Sequence, residues 1–247
     1  MSAAVAPLRV AMWSGPRNIS TAMMRAWENR EDCAVIDEPL YAAYLAKTGL
    51  DHPGRDEVIA AGETDWRRVV AILLGPAPND AAVWYQKHMS HHLLPEMDID
   101  WVLALRNVFL IRDPDEVVAS YIKSRAEVTP EDIGLPQQAR LFDLLRERTS
   151  ETPPVIDAGD FLRAPEAHLR ALCARLGIAF TPRMLRWPAG PRDSDGVWAP
   201  YWYDAVRKST GFEPWRARET TLSGEAAEVA AVCRPIYERL RAYRTTA

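Results

Sequence analysis

Residues 8–27, LRVAMWSGPRNISTAMMRAW, constrain the fold of this chain more than any other stretch. An apolar run from Leu8 to Trp13 breaks into a short polar turn, Ser14-Gly15-Pro16-Arg17-Asn18. A helix-like run from Ile19 to Trp27 follows. Strand, tight loop and helix N-terminus together make an anion cradle, because loop N–H groups point at the ligand and the helix dipole favours negative charge. Ser20 and Thr21 add hydroxyls in the first helical turn, and Arg17 adds a fixed charge with a forked donor set. The loop lacks the Gly-Lys-Ser/Thr of a Walker A motif, which leaves open which phosphate compound it holds. The plain alternative is a ligand-free βα turn.

The rest of the chain repeats that strand-then-helix alternation. Strands are expected at about 8–13, 33–37, 82–87, 107–111 and 155–158. Helices are expected at about 19–29, 40–48, 64–74, 115–124, 165–176 and 223–243. Pro165 suits the first position of its helix and Gly177 the position just past its end. Pro235 is expected to kink the last helix. Short apolar strands without clean polar alternation fit a parallel sheet covered on both faces. The expected fold is therefore α/β, a P-loop-like parallel sheet of about five strands with helices on both faces. In such sheets ligands bind beyond the carboxyl ends of the strands. Ser14 to Arg17, Glu38, Lys87 to His92, and Arg112 all fall at those ends.

At 247 residues and 48% hydrophobic composition the chain suits one domain with a sizeable core. We expect a core over about 8–180 and an aromatic lid and C-terminal helix over about 187–244. Residues 187–215 hold four of the nine tryptophans, Trp187, Trp198, Trp202 and Trp215, as an ordered lid would. A net charge of −4 argues against nucleic acid as a partner. No apolar run approaches the ~20 residues of a membrane span, and no signal peptide is evident. Cys33, Cys173 and Cys233 show no zinc spacing and suit a reduced, cytoplasmic compartment. Homo-oligomerisation is left open.

A second element is Phe109-Leu110-Ile111-Arg112-Asp113-Pro114, followed by a helix that carries Ser120. Arg112 and Ser120 can reach one phosphate, the first by charge and the second by hydroxyl. Together, SGPRNIST, FLIRDPDEVVASY and VIDAGDFLRAPEAHLRALCARLGIAF resemble the sulfotransferase family that uses 3′-phosphoadenosine-5′-phosphosulfate. The resemblance implies that Gly15, Pro16, Arg17, Asn18, Ser20 and Thr21 grip the donor's 5′-phosphosulfate. It implies that Arg112 and Ser120 grip the 3′-phosphate. Animal cytosolic members carry Lys where Arg17 stands, Gly where Ile19 stands and an adenine-stacking Trp where Ala22 stands. The texture is closest to a divergent bacterial branch with a DGVWAPYWYD-like segment, here residues 195–204.

Sulfuryl transfer develops negative charge on the bridging oxygen, so a positioned cation helps most in the transition state. Lys87 and Arg17 are the expected cations, with no metal. The family commonly uses a His after this strand as the base, in a Lys-x-His pattern, whereas this chain reads Lys87-His88-Met89. His88 and Glu38 are the two candidate bases. His91 and His92 are further candidates, or cap the next helix. The expected reaction moves a sulfuryl group from 3′-phosphoadenosine-5′-phosphosulfate to a hydroxyl or amine of a small-molecule acceptor. Its rivals are an ATP-dependent P-loop phosphotransferase and a non-catalytic nucleotide-binding interaction protein.

Overall fold

The computed structural model describes residues 6–125, 127–217 and 220–246. Five strands, β1 (Leu8–Ser14), β2 (Cys33–Asp37), β3 (Val83–Met89), β4 (Arg106–Ile111) and β5 (Val155–Asp157), form one sheet in the order β2-β3-β1-β4-β5. Every pairing is parallel. The helices are α1 (Ser20–Glu28), α2 (Tyr41–Thr48), α3 (Arg55–Ala61), α4 (Trp66–Leu74), α5 (Pro114–Tyr121), α6 (Pro130–Ile133), α7 (Leu135–Thr149), α8 (Ala158–Arg163), α9 (Pro165–Leu176), α10 (Ala199–Trp202), α11 (Asp204–Lys208) and α12 (Gly224–Arg241).

Side-chain alternation divides the core. Val10 and Met12 of β1 face a layer built from Met23, Met24 and Trp27 of α1 and Leu169 and Leu172 of α9. Ala11 and Trp13 face the opposite layer, with Phe109, Val118 of α5, Phe142 of α7 and Cys233 of α12. A third cluster joins Tyr41, Tyr44 and Leu45 of α2 to Val58 of α3 and to Trp198 and Tyr203 of the aromatic segment. Both faces of the sheet are thus buried, as its continuous apolar strands require.

Two local features depart from the sequence expectation. β3 continues two residues beyond Lys87, to Met89. The 15-residue helix α7 fills a region for which no helix is expected above. Its apolar positions, Leu135, Ala139, Phe142 and Leu145, do recur at helical spacing, but glutamines and arginines surround them. Helix α12 is continuous through Pro235, which is exposed, so the carbonyl left without its donor can turn to water.

Two tight spots shape the ends of the site. A Cβ on Gly15 would lie 2.2 Å from the carbonyl oxygen of Ile133, so only glycine lets the loop after β1 pass under α6. Gln138 of α7 donates from Nε2 to the carbonyls of Trp13 and Leu110, both at 3.2 Å, and ties the ends of β1 and β4 together.

Phe142 locks α7 onto the sheet, edge-on to Phe109 with centroids 5.5 Å apart. Phe142→Ala is expected to cost about 3–5 kcal/mol, seen in urea unfolding as a lower midpoint at unchanged slope.

Candidate active site

A cavity of about 370 Å³ opens at the carboxyl ends of β1, β2, β3 and β4. The loop Pro16 to Ala22, with Arg112 and Ser120, lines one end. Glu38, Tyr41, His52, His91 and His92 line the other. Trp202, Tyr203, Val206 and Phe212 of the aromatic segment also line it.

The anion end follows from the backbone. Arg17 adopts φ 53°, a left-handed conformation that a non-glycine residue holds only when its surroundings impose it. The Arg112 guanidinium imposes part of it by donating to the Arg17 carbonyl at 2.7 Å. The Arg17 side chain then reaches Ser120, with Nε 3.1 Å from Oγ. Asn18 donates to the Leu110 carbonyl and accepts from the Ile19 N–H, which fixes the loop against β4. At the start of α1, Ile19 supplies no side-chain cap, so the first helical N–H groups are left for another acceptor. Burial and the neighbouring Arg112 charge both push the Arg17 guanidinium below its ordinary range. Arg112 has Glu116 as an ion-pair partner at 2.7 Å, whereas Arg17 donates to a hydroxyl. Two guanidinium groups close together at one end of the cavity, one paired with Glu116 and the other donating to a hydroxyl, favour an anionic ligand there.

At the other end lies a buried polar network. The Lys87 ammonium is 0% exposed and spends its three donors on Asp37 Oδ1 at 2.7 Å, Glu38 Oε1 at 2.6 Å and the Tyr203 hydroxyl at 2.8 Å. Tyr203 in turn donates to Asp37 Oδ2 at 2.6 Å and accepts from the Trp198 indole at 3.1 Å. Parallel register sets Asp37 directly beside Lys87. Glu38 then turns the chain at φ 40° and brings its carboxylate to the cavity wall.

Two carboxylates share one ammonium. Burial disfavours the Lys87 charge, but Asp37 and Glu38 outweigh it and hold the ammonium well above its ordinary range. For Glu38 burial is the larger influence, aided by Asp37, and its carboxyl is raised despite Lys87. Glu38 therefore stands at the cavity as a carboxylate with more than ordinary proton affinity.

The histidines separate. Adjacent strand residues point to opposite faces, so β3 sends Lys87 towards Glu38 and His88 the other way. His88 stacks on Trp13 at 4.3 Å, lies 3.3 Å from Gln86 Oε1, and is not a cavity-lining residue; burial pushes it down to about 3. His91 and His92 do line the cavity, with ring centroids 4.4 Å apart. His92 stacks on Tyr41 at 4.7 Å, and His52 meets the Tyr41 hydroxyl at 2.9 Å. Burial holds His52 and His91 down to about 4 and pushes His92 well below its ordinary range, so all three are neutral near pH 7. Among the described residues, no group of three or more His, Cys, Asp or Glu has a metal-holding arrangement.

The structure thus gathers Pro16, Arg17, Asn18, Ser20, Thr21, Arg112, Ser120 and Glu38 around one cavity. Gly15 supports the loop from beneath, and Lys87 stands behind Glu38 instead of in the cavity wall. Sequence reasoning missed Asp37 and Tyr203. An acidic pair at a strand end, Asp37-Glu38, was the available signal for the first; nothing local signals a contact between Lys87 and Tyr203.

The chain belongs to the sulfotransferase domain family, whose pattern matches residues 8–243. It is also similar to two Arabidopsis thaliana proteins, branched-chain-amino-acid aminotransferase-like proteins 2 and 1, at 37% and 36% identity over 233 and 239 residues. Those matches cover 94% and 96% of this chain but 41% and 42% of the plant proteins, so the chain spans less than half of their length. In fold it resembles the sulfotransferase domain of the Synechococcus PCC 7002 olefin synthase, with TM-score 0.61, 16% identity and coverage of 98% of this chain and 97% of that one. The sulfotransferase domain from the curacin biosynthetic pathway gives TM-score 0.54 at 16% identity, covering 99% and 100%.

Lys87→Met leaves Asp37 and Glu38 buried without their cation. The expected loss of stability is about 3–5 kcal/mol near pH 7. The Glu38 carboxyl, already raised by burial, would then also lose the Lys87 charge that lowers it, so the folded variant binds more protons and the deficit shrinks as pH falls. Urea unfolding of wild type and variant at pH 7 and pH 5 measures it.

Proposed function

We propose that this protein transfers a sulfuryl group from 3′-phosphoadenosine-5′-phosphosulfate to a hydroxyl or amine of a small-molecule acceptor. The convergence of Arg17, Arg112 and Ser120 with the uncapped start of α1 on one cavity carries the reading. These groups suit a ligand with two separated anionic groups: backbone N–H groups and hydroxyls at one point, paired guanidinium donors at another. In this reading Asn18, Ser20 and Thr21 hold the 5′-phosphosulfate and Arg112 and Ser120 hold the 3′-phosphate. Arg17, lying between loop and Ser120, faces both. The bound donor supplies an electrophilic sulfur and a phosphate leaving group.

Glu38 takes the proton from the acceptor. It lines the cavity and has raised proton affinity, and Lys87 fixes its orientation from behind. His88 belongs to the core in this assignment, because its ring is spent on Trp13. Arg17 stabilises the charge that develops on the bridging oxygen. The acceptor is placed at the end walled by Tyr41, His52, His91 and His92. The aminotransferase in the plant relatives' names describes proteins more than twice as long as the matched stretch, and nothing in the reading above depends on it. A reduced, cytoplasmic setting belongs to the same proposal, since Cys33, Cys173 and Cys233 are all free thiols.

Calorimetry with adenosine 3′,5′-bisphosphate, ATP and AMP tests the donor class. The bisphosphate should bind at least about tenfold more tightly than AMP, a difference of about 1.4 kcal/mol. Arg112→Ala should remove most of that advantage. Equal affinity for bisphosphate and AMP contradicts the proposal, and tight Mg²⁺-dependent ATP binding favours a phosphotransferase. Turnover of labelled donor across an acceptor panel then separates an enzyme from a nucleotide-binding protein.

A further inference from the structure

The segment 194–203 is held at one end by the helix that begins in the loop lining the cavity and at the other by the Lys87 network. At one end Asp195 meets Arg25 in the middle of α1. Arg25 Nη2 lies 2.6 and 2.8 Å from the two carboxylate oxygens, and both side chains are almost wholly buried. Ser194 donates to Glu28 on the next turn of α1. Asp195 also accepts from the Arg192 N–H and stands 3.9 Å from Arg207. A buried pair of this kind costs much to desolvate and is poorly explained as a stabilising device alone.

At the other end the same segment meets the Lys87 network. The Gly196 N–H points at Asp37 Oδ2 at 3.4 Å. Trp198 folds back over Gly196, where a Cβ would lie 2.2 Å from the ring, and donates to Tyr203. Tyr203 closes over Asp37 and Lys87. The helix that anchors the strap, α1, begins in the anion-binding loop.

We propose that Asp195 is a positioning residue of the transfer reaction: through Arg25 it docks the 194–203 strap on the donor-site helix and so seats Tyr203 and Trp198 over the Asp37–Lys87–Glu38 network. The inference rests on Glu38 being the base in the reading above. Without the strap, water enters the network, and the burial that raises Glu38 is lost. The groups facing Glu38 are Lys87 from β3, Asp37 from β2, Tyr203 from the strap and Tyr41 from α2, with His52, His91 and His92 on the same end of the cavity.

The test needs no acceptor. Glu38 is titrated by carbon-13 NMR in protein labelled at glutamate side chains, with Glu38→Gln to assign the signal, in wild type and Asp195→Asn. Circular dichroism checks the fold, and calorimetry with adenosine 3′,5′-bisphosphate reads the donor site. The expected result is a Glu38 titration that falls by about one pH unit or more towards the ordinary carboxylate value, with bisphosphate affinity kept within about threefold. If Asp195→Asn does not fold, Arg25→Lys, which keeps the charge and loses the guanidinium fork, carries the same test with the same sign. An unmoved Glu38 titration in a folded variant overturns the proposal. So does a loss of bisphosphate affinity alongside the shift, which would mark a general structural role. Wild type that binds bisphosphate no better than AMP defeats the sulfuryl-transfer reading and leaves the strap measurement intact.

Discussion

The Lys87 ammonium, buried without contact with water, is the constraint on which the site depends. Such a charge is tolerated only if paired and fully hydrogen-bonded. Its three donors therefore dictate three acceptors, and those acceptors come from β2 and from a segment more than a hundred residues away. Asp37 is in register with it. Glu38 must adopt a positive φ to reach it, and in doing so presents its carboxylate to the cavity. Tyr203 must close over it, and this turns the aromatic segment from a loose cover into part of the site. Lys87, expected to act directly on the transferred group, is not in the cavity wall; it is the cation that orders the Glu38 carboxylate.

The opposite end of the cavity is governed by an imbalance of the other sign. Arg17 and Arg112 approach each other across a strained loop, where Arg112 pairs with Glu116 and Arg17 donates to the Ser120 hydroxyl. A pair of guanidinium groups held in this way favours an anion more strongly than either would alone. The cavity is thus polarised, with cations at the carboxyl end of β4 and a proton-avid carboxylate at that of β2. Neutral imidazoles and phenols separate that carboxylate from solvent. This polarity matches an anionic donor at one end and a proton-losing acceptor at the other.

Much of this was legible in the sequence. The five strands announced themselves as apolar runs, because a sheet buried on both faces has no polar alternation to disguise it. Gly15 to Thr21 and Arg112 to Ser120 could be placed because strand ends are where parallel sheets bind ligands. The roles at β3 were harder to read. Extending the strand from Lys87 to Met89 decides that Lys87 and His88 face opposite ways, and strand ends are the least legible feature of a sequence. Helix α7 was hidden by its polar residues. Asp37, Tyr203, Arg25 and Asp195 depend on strand register and on contacts between distant segments, which local pattern does not encode.

The central claim is that Glu38, held by Lys87 and raised by burial, removes the acceptor proton. The most direct measurement is the pH dependence of kcat/KM for sulfuryl transfer in wild type and in Glu38→Gln. Because the base must be ionised, the wild type should lose activity as pH falls through the Glu38 titration, with an apparent value above the ~4.3 of an ordinary glutamate. Glu38→Gln should lose about 10²-fold or more in rate and show no such acid limb. An acid limb that persists unchanged in Glu38→Gln would contradict the account and assign the proton transfer to another group.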